Sequence, residues 1–412
     1  MKINLGAKLK RPALSLVKKA GSMADAAGIK AYLVGGLVRD IILGGKDGDI
    51  DITVEGDATG FSRDFADSLG AAWKGFEKFR TGKVFLRDGR GIDFTSARSE
   101  TYGRTASLPE IKFTTLERDL YRRDFTINAA AVSINRKTMG ELSDPFHGIR
   151  DIKKKALRAL HDRSFMDDPT RILRGLRFEG RFGFKMDRRT FGLMKKAVKA
   201  KAFDCVPGER LRDELLLFFR EPDPIKALNN LERLGITGAI HPEINIEKNG
   251  GNILRKLEKY GALHGATETE LLKILSIAPT PAALARLKAP ARWIKAAKDI
   301  KSARGSIKLL SSGNVKKSAV YSKLDGMEPE AVYFTAFTGG KKILEKNLIF
   351  FMENTRDMKA DITGADLRSL GIKPGPLYSI LLKEALLRKI DGIAPGKKSQ
   401  LELVKAVINS NK

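Results

Sequence analysis

The chain has 412 residues, more than one hydrophobic core usually organises, so we expect roughly two to four structural units. Its 76 Lys and Arg against 49 Asp and Glu give a formal net charge of +27, which indicates a polyanionic partner, nucleic acid before anionic lipid. A single cysteine, Cys205, excludes a disulfide framework and is expected to be a small buried hydrophobe. No apolar run reaches the roughly 18 residues of a membrane span, so we expect a cytoplasmic protein without membrane contact.

The first 150 residues alternate helix and strand signals. Apolar residues recur at helical spacing over 12–28 and 61–71, whereas short apolar or alternating runs at 31–36, 50–56 and 83–97 predict strands. A Gly-rich turn is predicted at 44–49, and Asp88-Gly89 predicts a hairpin because this pair tolerates positive φ. We therefore predict an α/β domain with a mixed sheet, ending near residue 150.

Beyond residue 150 strand signals become rare and the pattern is all-helical. The predicted helices cover 168–182, 188–200, 208–220 and 224–234. Breaks are predicted at 235–244 and in the proline cluster 278–293. The predicted domains are therefore 1–150, a helical region 151–245 and a second helical region 246–412.

Three aspartates are candidates for a metal site. Asp49 and Asp51 lie one residue apart at a predicted strand, where a period of two would point both carboxylates to one face. Asp93, on the neighbouring hairpin, could supply a third carboxylate. Mg²⁺ prefers such hard oxygen ligands, and two Mg²⁺ ions there would suit phosphoryl transfer to a hydroxyl, although paired acids at a strand end also occur for solvation alone.

The segment GGLVRDIILGGKDGDIDI (35–52) adds a phosphate-binding candidate. Gly35 and Gly36 let the backbone approach an anion closely, and a plain strand-to-helix turn is the alternative. The whole string resembles motif A of the class II tRNA nucleotidyltransferase and bacterial poly(A) polymerase family, in the DNA polymerase beta superfamily. It varies only in the apolar run Ile41-Ile42-Leu43, and the resemblance makes Arg39 a further nucleotide-binding candidate.

Two later segments continue the resemblance. RRDFTINAAA (122–131) is similar to the family's motif B, which implies that Arg123, Asp124 and Asn128 help to bind the ribose. Without the family, Asp124 and Asn128 would share a helical face and could equally cap a helix. DPFHGIRDI (144–152) resembles motif C, whose role is expected to be structural.

The segment FMDDPTRILRGLRFEGRFGF (165–184) resembles motif D, in which one Asp and one Arg read the base. The matching residues are Asp168 and Arg171, spaced to meet on one helical face, while Asp167 stands where the family has Glu. Arg174 and Arg177 continue that spacing as triphosphate or helix contacts, with a solvated basic face as the alternative. PGERLRDELLLFF (207–219) looks like motif E, a packing helix, and His161 is expected to be a loop residue.

The resemblance covers residues 25–245 and implies a catalytic head, a neck with the base-selecting helix, and a helical body and tail for tRNA. It implies addition of CCA, or part of it, to tRNA 3′ ends from CTP and ATP, with Mg²⁺ or Mn²⁺ as metal and no readable obligate protein partner. A poly(A) polymerase and a CC-only or A-only enzyme are alternatives within the family. An RNA-binding protein that has lost catalysis is the non-enzyme alternative.

Overall fold

The computed structural model describes residues 1–45, 48–246, 253–256, 259 and 268–410. The chain divides into two compact units, Met1–Ile240 and His241–Lys412. Part of the predicted turn at 44–49 lies outside the described residues, and so does part of the predicted region 246–412. The separation of 1–150 from 151–245 stays a prediction.

The first unit mixes strands and helices. Its strands are β1 (Ala31–Val34), β2 (Ile50–Val54), β3 (Ala72–Phe76), β4 (Thr81–Phe85), β5 (Gly91–Ser96), β6 (Arg98–Thr101), β7 (Glu110–Phe113), β8 (Ala131–Ser133), β9 (Leu142–Ser143), β10 (Ala156–Leu157) and β11 (Lys185–Met186). Its helices are α1 (Leu5–Lys8), α2 (Arg11–Ala26), α3 (Gly36–Ile42), α4 (Ala58–Asp67), α5 (Leu116–Tyr121), α6 (Gly148–Lys153), α7 (Ser164–Asp167), α8 (Thr170–Phe182), α9 (Arg188–Lys199), α10 (Gly208–Phe218), α11 (Pro224–Arg233) and α12 (Ile236–Ile240).

A mixed sheet with the order β3-β4-β5-β2-β1-β8-β9 forms the first part of this unit. Strands β2 and β5 run parallel, and their register places Asp51 opposite Asp93. Along β5 the buried residues alternate with partly exposed ones, so Ile92 and Phe94 enter the core while Asp93 points to the other face. Phe65 of α4 packs on Phe94 with ring centroids 5.2 Å apart, which fixes this helix against the sheet.

Helix α8 connects the sheet region to the helices that follow. Its buried residues include Ile172, Leu173 and Leu176, and it ends at Gly183, whose positive φ of 66° terminates the helix. The predicted helices at 168–182, 188–200, 208–220 and 224–234 are confirmed to within two residues at each end. The short parallel pair β10–β11 is an exception to the predicted all-helical pattern.

The described part of the second unit is helical. Its helices are α13 (Thr269–Leu275), α14 (Pro281–Arg286), α15 (Ala291–Gly305), α16 (Ile307–Leu310), α17 (Lys317–Leu324), α18 (Pro329–Thr338), α19 (Lys342–Phe350), α20 (Gly364–Ser369), α21 (Pro376–Ile390) and α22 (Lys397–Ser410). The prolines of the predicted break start helices instead of merely separating them, since Pro281 occupies the first turn of α14 and Pro290 caps α15.

Two observations concern predictions made from composition. Cys205 is exposed, so the predicted buried packing role is wrong; it ends a short 3₁₀ helix whose buried residues are Ala202 and Phe203. In the part of the chain that the structure describes, none of the helices has the length and apolar character needed to span a bilayer.

Candidate active site

A cleft of about 570 Å³ opens between the sheet and helix α8. Gly35 and Gly36 line it at the turn between β1 and α3, and Gly35 has a φ of 70°, a conformation that favours glycine. A Cβ at Gly35 would lie 3.2 Å from an Arg123 nitrogen and 3.4 Å from an Asp51 carboxylate oxygen. The glycine therefore lets the turn approach both charged groups closely.

The carboxylate of Asp51 reaches the cleft from β2, and Asp93 stands beside it on β5. Burial, followed by the charge of Asp93, raises the pKa of Asp51 from 3.8 to about 6, although Arg123 and Lys83 oppose the increase. Lys83 Nζ lies 3.0 Å from an Asp93 oxygen. Two carboxylates on adjacent strands supply the oxygen ligands that a divalent cation prefers, which gives the candidate metal site its physical basis.

Asp49 immediately precedes β2 and lines a hollow with Lys10 and Arg90. Its role as a metal ligand beside Asp51 stays a prediction. Its charge still contributes to the raised pKa of Asp51. No three acidic, His or Cys side chains within the described ranges are grouped closely enough to hold a metal, so the fit rests on the two facing carboxylates.

The predicted ribose-binding residues lie together on one wall of the cleft. Arg123, Asp124 and Asn128 all line the cleft, and Asn128 donates from Nδ2 to Asp124 Oδ1 over 2.9 Å. Asp124 and Asn128 do not share the predicted helical face, because α5 ends at Tyr121 and a short 3₁₀ turn spans Thr126–Asn128. The turn brings the two side chains together instead. Arg123 donates to Asp119, and its Nε is buried without a hydrogen-bond partner among the described atoms.

Arg39 and Arg174 connect the residues of this wall to α8 through hydrogen bonds and a ring contact. Arg39 is buried, donates to Asn128 Oδ1 over 2.8 Å and stacks on the Phe182 ring at 4.6 Å. Arg174 Nε donates to Asp124 Oδ2 over 2.9 Å. Burial would raise the pKa of Asp124, but Arg174 and Asn128 outweigh it and hold that pKa below its usual value.

The predicted base-reading residues both line the cleft but do not meet on one helical face. Asp168 lies before α8, where its Oδ1 accepts from the Thr170 backbone N–H and its Oδ2 accepts from Arg210 over 2.9 Å. Arg171 lies in the first turn of α8 and donates to Ser164 Oγ over 2.9 Å. Asp168 is thus an acceptor fixed just before the start of α8. The three-residue spacing between Asp168 and Arg171 does not place them on one helical face, because only Arg171 lies in the helix. Arg177 also lines the cleft and pairs with Glu214 at 3.2 Å.

Several lining residues were not singled out from the sequence. They belong mainly to the segment 96–118 and to the helices, and they are Phe79, Arg98, Glu100, Tyr102, Ser107, Leu108, Pro109, Arg122, Phe178, Arg181 and Arg210. Glu100 accepts from Tyr102 over 2.7 Å and from Arg122 over 3.0 Å, which anchors the start of that segment in the cleft. These are tertiary contacts for which local spacing gives no signal.

The segment resembling motif C is structural in its contacts. Both oxygens of Asp144 accept from backbone N–H groups of α6, at Gly148 over 2.7 Å and Ile149 over 3.1 Å. Asp151 is fully buried and accepts from Thr126 over 2.7 Å. These contacts hold the turn after the sheet in place.

Comparison with protein families assigns this architecture to a known class. The model of the poly(A) polymerase head domain matches residues 31–158, and that of the probable RNA- and SrmB-binding site of polymerase A matches residues 183–248. The first match covers the sheet and the second covers α9 to α12, while α7 and α8 lie between the two matched ranges.

Relatives and solved structures extend the match to the rest of the chain. A-adding tRNA nucleotidyltransferases of Geobacter sulfurreducens and Halalkalibacterium halodurans are 32% and 31% identical over 98% and 96% of this chain. The chain spans about half of the Geobacter protein (48%) and 93% of the Halalkalibacterium protein. An apo CCA-adding enzyme matches at a TM-score of 0.82 and 31% identity, covering 98% of this chain and 97% of its own. The chain belongs to the tRNA nucleotidyltransferase family.

Proposed function

We propose that this protein transfers nucleotides from CTP and ATP to the 3′ end of tRNA, completing all or part of the CCA sequence. The observation that carries the proposal is the cleft in which Asp51 faces the arginines of α8. Nine arginines and four acidic side chains line this cleft, an excess of positive charge that suits a triphosphate. Arginine also offers the forked donors that phosphate and base recognition require.

The candidate metal residues act at the sheet edge. Asp51 and Asp93 would hold Mg²⁺ or Mn²⁺, and Asp49 is the third candidate ligand, whose charge already acts on Asp51. A divalent cation supplied there would neutralise phosphate charge and activate the attacking 3′ hydroxyl. The turn at Gly35-Gly36 has no side chains of its own, so its backbone would let a triphosphate approach close to Asp51 and Arg123, whose side chains lie within 3.4 Å of a Cβ placed at Gly35.

The remaining groups bind and orient the nucleotide. Arg123, Asp124 and Asn128 form a polar wall suited to the sugar, and Arg39 and Arg174 hold that wall in place. Asp168 can accept from the exocyclic amine shared by cytosine and adenine, and Arg171 can donate to ring nitrogen or carbonyl acceptors. Since Arg210 already occupies one oxygen of Asp168, base recognition would exchange or share that contact.

The tRNA is expected to contact the helical second unit and the basic faces of the neck. The formal charge of +27 supports phosphate binding without sequence readout. A solved relative, the CCA-adding enzyme of Thermotoga maritima, is described as complexed with tRNA and matches this chain at a TM-score of 0.74 and 31% identity. That complex supports tRNA as the acceptor here.

Terminal A addition is a specific second candidate within this proposal. The relatives from Geobacter and Halalkalibacterium, matched over nearly all of this chain, are named A-adding enzymes, and one from Deinococcus radiodurans is named CC-adding. Poly(A) addition and RNA binding without catalysis are the remaining competing functions. All of these share the cleft, so activity must separate them.

The deciding experiment offers the purified protein three tRNA transcripts, ending before CCA, after C and after CC, with labelled CTP or ATP and Mg²⁺ or Mn²⁺. Addition of CCA to the first transcript identifies the full enzyme. Action only on the third identifies A addition, arrest at CC identifies CC addition, and a long tail identifies poly(A) synthesis. No extension of any transcript would favour RNA binding without catalysis.

A matched pair of variants tests the carboxylate assignment in the same assay. Asp51→Ala should abolish incorporation while tRNA affinity stays nearly unchanged, because Asp51 faces the nucleotide cleft. Asp64→Ala removes an exposed carboxylate on α4 and should leave both unchanged. Normal incorporation by Asp51→Ala would refute the assignment.

A further inference from the structure

His161 contacts Arg171, a residue that lines the cleft. It is absent from the cleft lining, and its side chain is only 18% exposed. Its Nε2 lies 3.4 Å from Arg171 Nη1, the same nitrogen that donates to Ser164 Oγ. Arg171 Nη2 donates to the Arg122 carbonyl over 2.7 Å. The guanidinium is thus held by the side chains of His161 and Ser164, which do not line the cleft, and by the Arg122 backbone carbonyl.

The chemistry of this contact fixes the protonation of the imidazole ring. A guanidinium has donors only, so Nε2 can take part only through its lone pair, and the proton of the neutral ring must be on Nδ1. Nδ1 faces Asp167, whose Oδ2 lies 3.9 Å away. The carboxylate attracts the Nδ1 proton and so favours the tautomer that Arg171 needs.

We propose that His161 is a positioning residue that holds Arg171 in the orientation for reading the nucleotide base, with Asp167 selecting its tautomer. The inference rests on the proposed function, in which Arg171 contacts the base. His161 lies in the loop between β10 and α7, as expected, and the proposal adds a function to that position. It also gives Asp167 a role, as the acid that orients the residue in contact with Arg171.

The surroundings of His161 add a pH dependence. Arg171 of α8, Asp167 and Arg163 at α7, Arg189 of α9 and the Tyr121 ring of α5 all face the imidazole. Burial first, and then the charge of Arg171, lowers the pKa of His161, and Asp167 opposes this only in part.

The ring is therefore neutral near pH 7, as the contact requires. At lower pH the imidazolium would direct an N–H towards Arg171, repel it and weaken base recognition. This sensitivity to acid follows from the placement of His161 beside a permanent cation.

The test compares His161→Ala with His161→Gln in the full-length chain. Gln places an amide oxygen near the position of Nε2 and can accept from Arg171 at any pH. With tRNA transcripts and ATP or CTP, His161→Ala should raise the KM for the nucleotide about 2–10-fold, the range expected for one lost hydrogen bond, and leave kcat within about twofold. Incorporation of UTP and GTP relative to ATP and CTP should rise, and His161→Gln should restore wild-type values.

The pH profile supplies a readout that a purely structural role would not change. As pH falls below 6.5, the wild-type KM should rise more than the KM of His161→Gln, because both proteins share the titration of Asp51 and only the wild type adds that of His161. Equal KM values and base selectivity for wild type and His161→Ala would overturn the inference. So would a His161→Gln variant as impaired as His161→Ala, or one that keeps the wild-type pH dependence.

Failure of the proposed function can be recognised separately. If the wild type extends no tRNA, the activity assignment fails, and calorimetric titration of ATP into the full chain then decides the role of His161. Affinity about 2–10-fold weaker in His161→Ala, restored in His161→Gln, would support it. Equal affinity in all three proteins would refute it.

Discussion

Replacing Asp51 with Asn should stabilise the protein at neutral pH while removing its proposed activity. Burial and the neighbouring Asp93 raise the folded-state pKa of Asp51 from 3.8 to about 6. The folded state therefore binds more protons than the unfolded state between these values, so stability falls as pH rises through this window. Above pH 6 the ionised carboxylate costs up to about 3 kcal/mol, which Asn does not incur.

The measurement is thermal unfolding in EDTA at pH 7.5 and pH 4.5, with Asp64→Asn as the exposed control. A domain of this size gains about 2–4 °C per kcal/mol, so Asp51→Asn should raise Tm by about 6–12 °C at pH 7.5. The gain should shrink at pH 4.5, where the wild-type carboxyl is largely protonated when folded. A gain that is absent at pH 7.5, or equal at both pH values, would show that the carboxylate pair is not the source of this cost.

Mg²⁺ provides an independent check that needs no activity. A cation bound only by the folded state stabilises it by mass action. Added Mg²⁺ should therefore raise the Tm of the wild type at pH 7.5 more than that of Asp51→Asn. An equal response in both proteins would place any bound Mg²⁺ elsewhere.

Two further predictions concern packing and buried charge. In a urea titration, Gly21→Ala should lower the free energy of unfolding by about 1–3 kcal/mol, because its Cβ would meet the Ile134 carbonyl oxygen at 1.9 Å. The control Gly192→Ala has open space around its Cβ and should be neutral or stabilising. Arg174→Met should cost about 3–5 kcal/mol by leaving Asp124 buried without its cation, and adding Asp124→Asn should recover part of that loss. Wild-type stability of Arg174→Met alone would refute the second prediction.

The helices that follow the sheet were predictable from local chemistry. Their apolar residues repeat with the helical period, and acidic residues stand at the starts of two of them. In the structure Asp187 accepts from the Thr190 N–H at the start of α9, and Asp223 accepts from the Lys226 N–H at the start of α11. The hairpin of β4 and β5 was predictable for the same reason, since Asp88-Gly89 supplies the turn.

Most residues named from the sequence line the cleft, but their geometry and the remaining lining residues were not predictable. Spacing alone suggested that Asp168 and Arg171 share a helical face, yet α8 begins only at Thr170, so Asp168 stands outside it. Spacing likewise placed Asp49 beside Asp51, although β2 begins between them. In both pairs an element boundary falls between the residues, and boundaries are the least certain part of any pattern-based assignment.

Several arginines of the cleft are already hydrogen-bonded to other protein groups, and these contacts determine how the site should respond to mutation. Arg171 is fixed by Ser164 and the Arg122 carbonyl, Arg174 by Asp124, and Arg181 by Glu221. A guanidinium fixed in advance loses less entropy when an anion binds, so part of the affinity comes from the residues that hold it. Loss of a supporting residue should therefore weaken nucleotide binding even where every arginine remains, and for this reason residues such as His161 can matter without touching the substrate.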